Sequence, residues 1–174
     1  RIYLDGSSYP DRDSFSDSII QNIGFSVSAP LRDWWLSKIS MGRSMDDIDD
    51  TNGIDGSHIS DFRTTKDQYS WQNDIEIFNE QIITFGVDLY DDELVSSTDY
   101  TDTQGVLARD RMNRAYFIQY QGNFSIFDYV LGYREDDNEE NGTQNTSNIS
   151  LGAQLGKSHR VIFSWGEAFK APTY

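Results

Sequence analysis

Apolar and polar residues alternate along eight stretches of this chain. Two clear examples are residues 23–29 and 83–89, where Ile, Phe, Val, Leu or Ala occupies every second position. Successive side chains of a β-strand point to opposite faces, so each stretch has one apolar face and one polar face. The pattern predicts strands at 19–29, 34–45, 67–78, 82–93, 113–123, 127–137, 146–155 and 160–170.

The connections between these stretches alternate between short and long. Four have the size of tight turns: 29–33, 79–81, 124–126 and 156–159. Three are longer and polar: 46–66, 94–112 and 138–145. Strands of about 9–11 residues, with short turns at one end and long loops at the other, are typical of a transmembrane β-barrel. The sequence therefore predicts an all-β, antiparallel up-and-down meander of about eight strands, part of a larger transmembrane β-barrel.

The strand pattern assigns each side chain to a lipid-facing or a lumen-facing side, because charged groups are costly in hydrocarbon. Outward candidates are Tyr69, Trp71, Ile75, Ile77, Tyr116, Ile118, Tyr120, Phe127, Tyr129, Leu131, Tyr133, Ile149, Leu151, Ala153, Leu155, Val161, Phe163 and Trp165. Inward candidates include Gln68, Gln72, Asp74, Glu76, Gln119, Gln121, Asp128, Arg134, Asn148, Gln154 and Lys170. Glu167 falls in the outward register, and we expect it at the membrane interface.

A soluble sandwich of two sheets would show the same alternation. It would bury Ile83, Phe85, Val87 and Leu89 beneath a second sheet, whereas a barrel would not. Such a soluble acidic β-protein could be a carbohydrate-binding module, or a glycosidase using a carboxylate pair drawn from Asp74, Glu76 and Asp88. This alternative of another class remains open at the level of sequence.

Composition adds few restrictions. The hydrophobic fraction is 37% and no apolar run is long enough for a membrane-spanning helix. The net charge of −15 argues against binding nucleic acid.

We expect the whole of 1–174 to be one β-barrel segment, incomplete at both ends.

Several segments resemble the TonB-dependent receptors of the Gram-negative outer membrane. Residues 165–174, Trp-Gly-Glu-Ala-Phe-Lys-Ala-Pro-Thr-Tyr, are similar to a G-x-A-F-K-A-P-T-F/Y segment of that family. Residues 27–31, 69–74, 119–122 and 133–138 resemble the hairpins of its cobalamin (vitamin B12) receptor branch. The resemblance extends over nearly the whole chain.

The resemblance implies a barrel of 22 strands, plugged by an N-terminal domain and driven by the TonB complex of the inner membrane. It implies active transport of a small-molecule ligand without enzymatic chemistry, in contact with outer-membrane lipid. Cobalamin is the expected ligand, and a siderophore or haem receptor, carrying an iron chelate, is the alternative within the family.

The acidic segment 46–61 is the candidate metal site. Its carboxylates offer the hard oxygen ligands that suit calcium, although the EF-hand pattern is missing. The resemblance implies that loop aspartates of this hairpin bind calcium. Asp46 or Asp47, together with Asp55, occupies the closest matching positions, so the candidate ligands are Asp46, Asp47 and Asp55. The alternative is a solvated run of charges. No other cofactor is expected.

Two further features are predicted to lack a functional role. Residues 152–158 resemble a phosphate-binding loop, but they have one residue too few between the glycines and no helix follows. His58 and His159 lack a partner at metal-ligand spacing in the sequence, so both are expected to be surface residues.

Overall fold

The computed structural model describes residues 14–52, 56, 58–78, 80–98 and 105–169. These residues form eight β-strands: β1 (Ser14–Arg32), β2 (Trp35–Asn52), β3 (His58–Phe78), β4 (Gln81–Thr98), β5 (Gly105–Phe124), β6 (Phe127–Asn138), β7 (Gly142–Leu155) and β8 (His159–Gly166). Among the described residues, no helix is long and apolar enough to cross a membrane.

The eight strands form one sheet in the order β1-β2-β3-β4-β5-β6-β7-β8. Pairing is antiparallel at the three interfaces from β5 to β8, as tight turns between neighbours require. Within the described residues, β1 and β8 are the edges of this sheet. The predicted all-β meander is thus confirmed.

The strands differ from the predictions at their ends. β2, β3, β4 and β5 all run well into the segments that the sequence assigned to long loops at 46–66 and 94–112. The third predicted loop, 138–145, shrinks to residues 139–141. These loop predictions are wrong because the polar side chains of these segments bond across neighbouring strands, as Arg63 does to Asp47 and Ser97 to Asp61. β8 is shorter than predicted and ends at Gly166, and Lys170 lies outside the described residues.

The short turns are as tight as expected. β5 and β6 are joined by Ser125 and Ile126 alone, and Ser125 has a positive φ of 60°. Two-residue hairpin turns favour such left-handed conformations because their twist matches that of the flanking strands. Glu80, in the β3–β4 turn, likewise has φ 64°.

The residues group into two compact units. Unit 1 comprises residues 1–22, 44–65 and 93–110, and unit 2 comprises residues 23–43, 66–92 and 111–174. In unit 1 the described strand residues are 14–22 of β1, 44–52 of β2, 58–65 of β3, 93–98 of β4 and 105–110 of β5. In unit 2 they are the remaining parts of these five strands together with β6, β7 and β8.

The described residues have almost no apolar core. Leu94 and Ala115 are their buried hydrophobic residues, whereas five buried residues are polar or charged: Asn73, Asp88, Arg111, Asp136 and Asn138. Many large outward side chains are exposed, such as Phe163 at 59% and Tyr116 at 52%. An apolar surface of this extent suits an apolar surrounding.

The soluble sandwich is contradicted for the described residues. All eight strands lie in a single sheet, and no second sheet covers the apolar face. Of the four residues that would have been buried, Ile83, Phe85 and Val87 are partly exposed and Leu89 is 39% exposed.

Candidate functional site

Arg134 organises the polar face of unit 2. Its Nη1 donates to Asp88 Oδ2 at 2.6 Å, and its Nε donates to Asp136 Oδ2 at 2.8 Å. Ser70 Oγ donates to Asp88 Oδ1 at 2.7 Å and Asn113 Nδ2 donates to Asp136 Oδ1 at 3.0 Å. We call these five residues the Arg134 cluster. The cluster draws on four strands, β3 to β6, and donors from β3, β5 and β6 satisfy both carboxylates.

Local sequence explains how the Arg134 cluster forms. Arg134 and Asp136 are two residues apart on β6, so their side chains share a face. The bond to Asp88 on β4 must cross β5, where Ala115 is the register partner of Asp136 and is fully buried. Arg134 itself pairs with Phe117 of β5.

A second polar group lines a cleft of about 750 Å³ in unit 2. Asp74 Oδ1 accepts from Thr84 Oγ1 at 2.7 Å and from Gln72 Nε2 at 3.0 Å. Gln119 Nε2 donates to Gln121 Oε1 at 3.0 Å in the same cleft. The donors and acceptors of this wall could hold a polar ligand or another protein segment by hydrogen bonds.

A chain of ion pairs completes the polar face of unit 2. Asp92 lies 3.5 Å from Lys66 Nζ and 3.2 Å from Arg111 Nη2, and Arg111 Nη1 lies 3.6 Å from Glu140. Lys66 Nζ also sits 4.9 Å from the ring centroid of Tyr90, a cation–π contact.

The inward assignments of Gln72, Asp74, Gln119, Gln121 and Arg134 agree with these contacts. Asp74 and Asp88 belong to separate hydrogen-bond groups, so the described contacts do not join them into the carboxylate pair of a glycosidase. Glu167 follows β8, and its Oε2 accepts from the backbone N–H of Ser147 at 3.2 Å.

The end of the β2–β3 hairpin in unit 1, residues 46–63, is rich in paired carboxylates. Both Nε and Nη2 of Arg63 donate to Asp47 Oδ2, and Ser60 Oγ donates to Asp50 Oδ2 at 3.1 Å. The hydrogen bond that Arg63 donates to Asp47, together with the negative charge of Asp47, raises the pKa of Arg63 above its usual value. We call this segment the acidic hairpin.

The predicted calcium ligands do not converge in the acidic hairpin as described. Asp46 and Asp47 are consecutive residues of β2, and consecutive strand residues point to opposite faces. Asp47 is paired with Arg63, whereas Asp46 Oδ1 accepts from Ser18 Oγ at 3.4 Å. Asp55 lies outside the described residues. The calcium set of Asp46, Asp47 and Asp55 stays a prediction.

Sequence reasoning missed the surroundings of His58. This residue begins β3, and its imidazole nitrogens lie 3.3 Å from Asp49 Oδ1 and 3.5 Å from Asp61 Oδ2. The sequence pattern that indicates this cluster is an aspartate before the hairpin tip, Asp49, and a histidine and an aspartate after it, His58 and Asp61. The predicted loop at 46–66 has no pairing register, so the sequence alone does not bring these three residues together.

Comparisons with known proteins agree with this architecture. No family model matches the chain. The chain is 28% identical over 174 residues to the vitamin B12 transporter BtuB of Vibrio cholerae serotype O1, covering 98% of this chain and 27% of that protein. It is 25% identical over 140 residues to the vitamin B12 transporter BtuB of Photobacterium profundum, covering 79% of this chain and 22% of that one. The chain thus spans about a quarter of the length of these relatives.

Two solved structures share the fold. The RagAB peptide transporter superposes with a TM-score of 0.66 at 11% identity, covering 94% of this chain and 25% of that one. The RagAB peptide importer in its closed-closed state gives a TM-score of 0.62 at 10% identity, covering 89% and 23%. Together with the all-β fold, these comparisons place the chain in the outer membrane of a Gram-negative bacterium, as the sequence predicted.

Proposed function

We propose that the chain is part of the barrel wall of a TonB-dependent outer-membrane transporter for cobalamin. The observation that carries this proposal is the two-faced sheet: its outward face is apolar and exposed, and its inward face carries the hydrogen-bonded groups around Arg134 and Asp74. This division of side chains suits a wall between lipid and a wet lumen. The similarity to vitamin B12 transporters, which spans nearly the whole chain, supports cobalamin as the ligand.

The proposed mechanism is binding followed by gated passage, with no covalent step. The polar lumen wall would hold a plug domain through exchangeable hydrogen bonds, since single bonds of this kind contribute only about 0.5–1.5 kcal/mol each. The TonB complex would supply the energy that moves the plug. The outer ends of the hairpins would meet the ligand first.

The test is cobalamin uptake by the full-length protein in a Gram-negative strain that lacks its own cobalamin receptor. We expect saturable uptake of radiolabelled cyanocobalamin that disappears when TonB is removed. Uptake of a ferric siderophore or haem, measured in parallel, should stay at the background of the empty strain.

Each other outcome points to a definite revision. Uptake of an iron chelate without cobalamin uptake would support the alternative within the family, a siderophore or haem receptor. Cobalamin uptake that continues without TonB would contradict the energy-coupled mechanism.

A further inference from the structure

We propose that Asp49, His58 and Asp61 of the acidic hairpin form a binding site for a divalent transition-metal ion of the zinc type. This site is distinct from the predicted calcium set, with which it shares no residue, and it goes beyond the proposed transport function. One potential ligand atom from each of the three side chains lies within 4.8 Å of the other two.

The spacing of these atoms is close to what a bound ion needs. Two ligands about 2.1 Å from a tetrahedral ion lie about 3.4 Å apart. His58 Nδ1 lies 3.3 Å from Asp49 Oδ1 and His58 Nε2 lies 3.5 Å from Asp61 Oδ2, so the two carboxylates face opposite nitrogens of the ring. An ion binds a single imidazole nitrogen, so the aspartate that faces the other nitrogen must rotate toward it. One ligand atom from each side chain already lies within 4.8 Å of the other two, so this rotation can gather the three donors around one ion.

The donor types select the metal class. One imidazole nitrogen with two carboxylate oxygens suits zinc and the neighbouring transition metals, whereas calcium takes oxygen ligands alone. Three protein ligands leave a coordination position for water. The side chains are 57% exposed for Asp49, 36% for His58 and 53% for Asp61, so an ion can reach them directly from solvent.

The electrostatics of the hairpin also favour a cation at this place. The bonds from Arg63 to Asp47 and from Ser60 to Asp50 fit one strand register, in which Asp49 lies opposite Asp61. Like charges directly opposite each other destabilise a pair of strands. A divalent ion would convert this repulsion into a cross-link between β2 and β3.

A neighbouring strand steadies one of the ligands. Ser97 Oγ, on β4, donates to Asp61 Oδ2 at 2.9 Å. Hydrogen bonds to a ligating carboxylate fix its orientation and raise metal affinity. The site therefore draws on three strands of unit 1, although only two of them supply ligands.

The experiment is titration of the full-length protein in detergent with zinc chloride, followed by isothermal calorimetry in the presence of millimolar calcium. We expect the native protein to bind one zinc ion more per chain than the His58→Gln variant. His159→Gln is the matched control, because it removes the other histidine of this chain, at the start of β8. It should leave the zinc stoichiometry unchanged.

A spectroscopic measurement identifies the ligand. Copper(II) bound at this site should show nitrogen hyperfine splitting in its electron paramagnetic resonance spectrum, and this component should be missing in His58→Gln but present in His159→Gln. Equal zinc stoichiometry in the native protein and His58→Gln would overturn the proposal. Displacement of the zinc by millimolar calcium would overturn it too, since an oxygen-only site would then be responsible.

Discussion

The arginines of this sheet differ in the number of ion pairs they form and in how far those pairs are buried. Arg134 bridges Asp88 and Asp136, which are each only 9% exposed. Arg160 makes a single ion pair with Asp128, and both of its members are substantially exposed. Sequence patterning predicted that Arg134 and Asp128 face inward, but it could not predict these pairings, because they depend on strand register.

Arg134→Ala should therefore destabilise the protein more than Arg160→Ala does. Loss of Arg134 leaves two poorly solvated carboxylates without their counter-ion, whereas Asp128 can turn to water. We expect a loss of about 1–3 kcal/mol for Arg134→Ala, between the values for surface and buried pairs, and about 0–1 kcal/mol for Arg160→Ala. Guanidinium unfolding of the protein in lipid vesicles measures both, and equal losses would contradict the described cluster.

A second prediction concerns the calcium set. If Asp46, Asp47 and Asp55 bind calcium, changing all three to Asn should weaken calcium and cobalamin binding together, because linked sites affect each other equally. Calorimetry of cobalamin binding in chelator and in millimolar calcium measures this linkage. Asp33→Asn, in the turn between β1 and β2, is the control and should change neither affinity. Cobalamin affinity that is the same with and without calcium would leave these residues as a solvated charge run.

The strands show where sequence patterning works and where it fails. Their centres are predicted because one apolar and one polar face give a clear period of two, as in β6 and β7. Their outer ends are missed because both faces are polar there, and the pairs that extend the β2–β3 hairpin, such as Asp47 with Arg63, involve residues that look like loop residues in sequence. The cluster around His58 was missed for the same reason.

Strand β4 offers a test of close packing within the sheet. A Cβ atom on Gly86 would clash with the backbone oxygen of Trp71 and lie 2.6 Å from the ring Cζ of Phe117. Gly86→Ala should therefore destabilise the protein by about 1–3 kcal/mol, the usual cost of overpacking. At Gly24 of β1, the nearest atom to a Cβ would be the backbone oxygen of Met41, at an ordinary 3.7 Å.

Gly24→Ala is accordingly the matched control for Gly86→Ala. It should be neutral or slightly stabilising, because glycine in a strand interior loses more conformational entropy than alanine on folding. The guanidinium concentration at the midpoint of unfolding, measured for both variants, compares their stabilities. A Gly86→Ala protein as stable as Gly24→Ala would contradict the described contact between β4 and its neighbours.

For the molecule in its membrane, the account rests on the difference between the two faces of the sheet. Leu151 on β7 pairs with Phe163 on β8, and both are exposed on the apolar face. The adjacent pair, Ser150 and Ser164, points to the polar face and its hydroxyl oxygens lie 3.1 Å apart.

Leu151→Arg should cost up to about 2–4 kcal/mol of stability in a bilayer, whereas Ser150→Arg should cost much less, because its guanidinium can reach water in the lumen. Unfolding of the two variants in vesicles of the same lipid measures the difference. Similar losses for both variants would contradict the assignment of faces.

Site-directed spin labelling along β7 tests the central claim, a sheet with lipid on one face and water on the other, most directly. This chain has no cysteine, so single labels can be placed at 148, 149, 150, 151, 153 and 154 in a cysteine-free form of the full-length protein. In lipid vesicles, the account predicts that labels at 149, 151 and 153 are accessible to oxygen, which dissolves in lipid. Labels at 148, 150 and 154 should instead be accessible to a water-soluble nickel chelate. Accessibilities that do not alternate along β7 would contradict this account. Low oxygen accessibility of the labels at 149, 151 and 153 would contradict it as well.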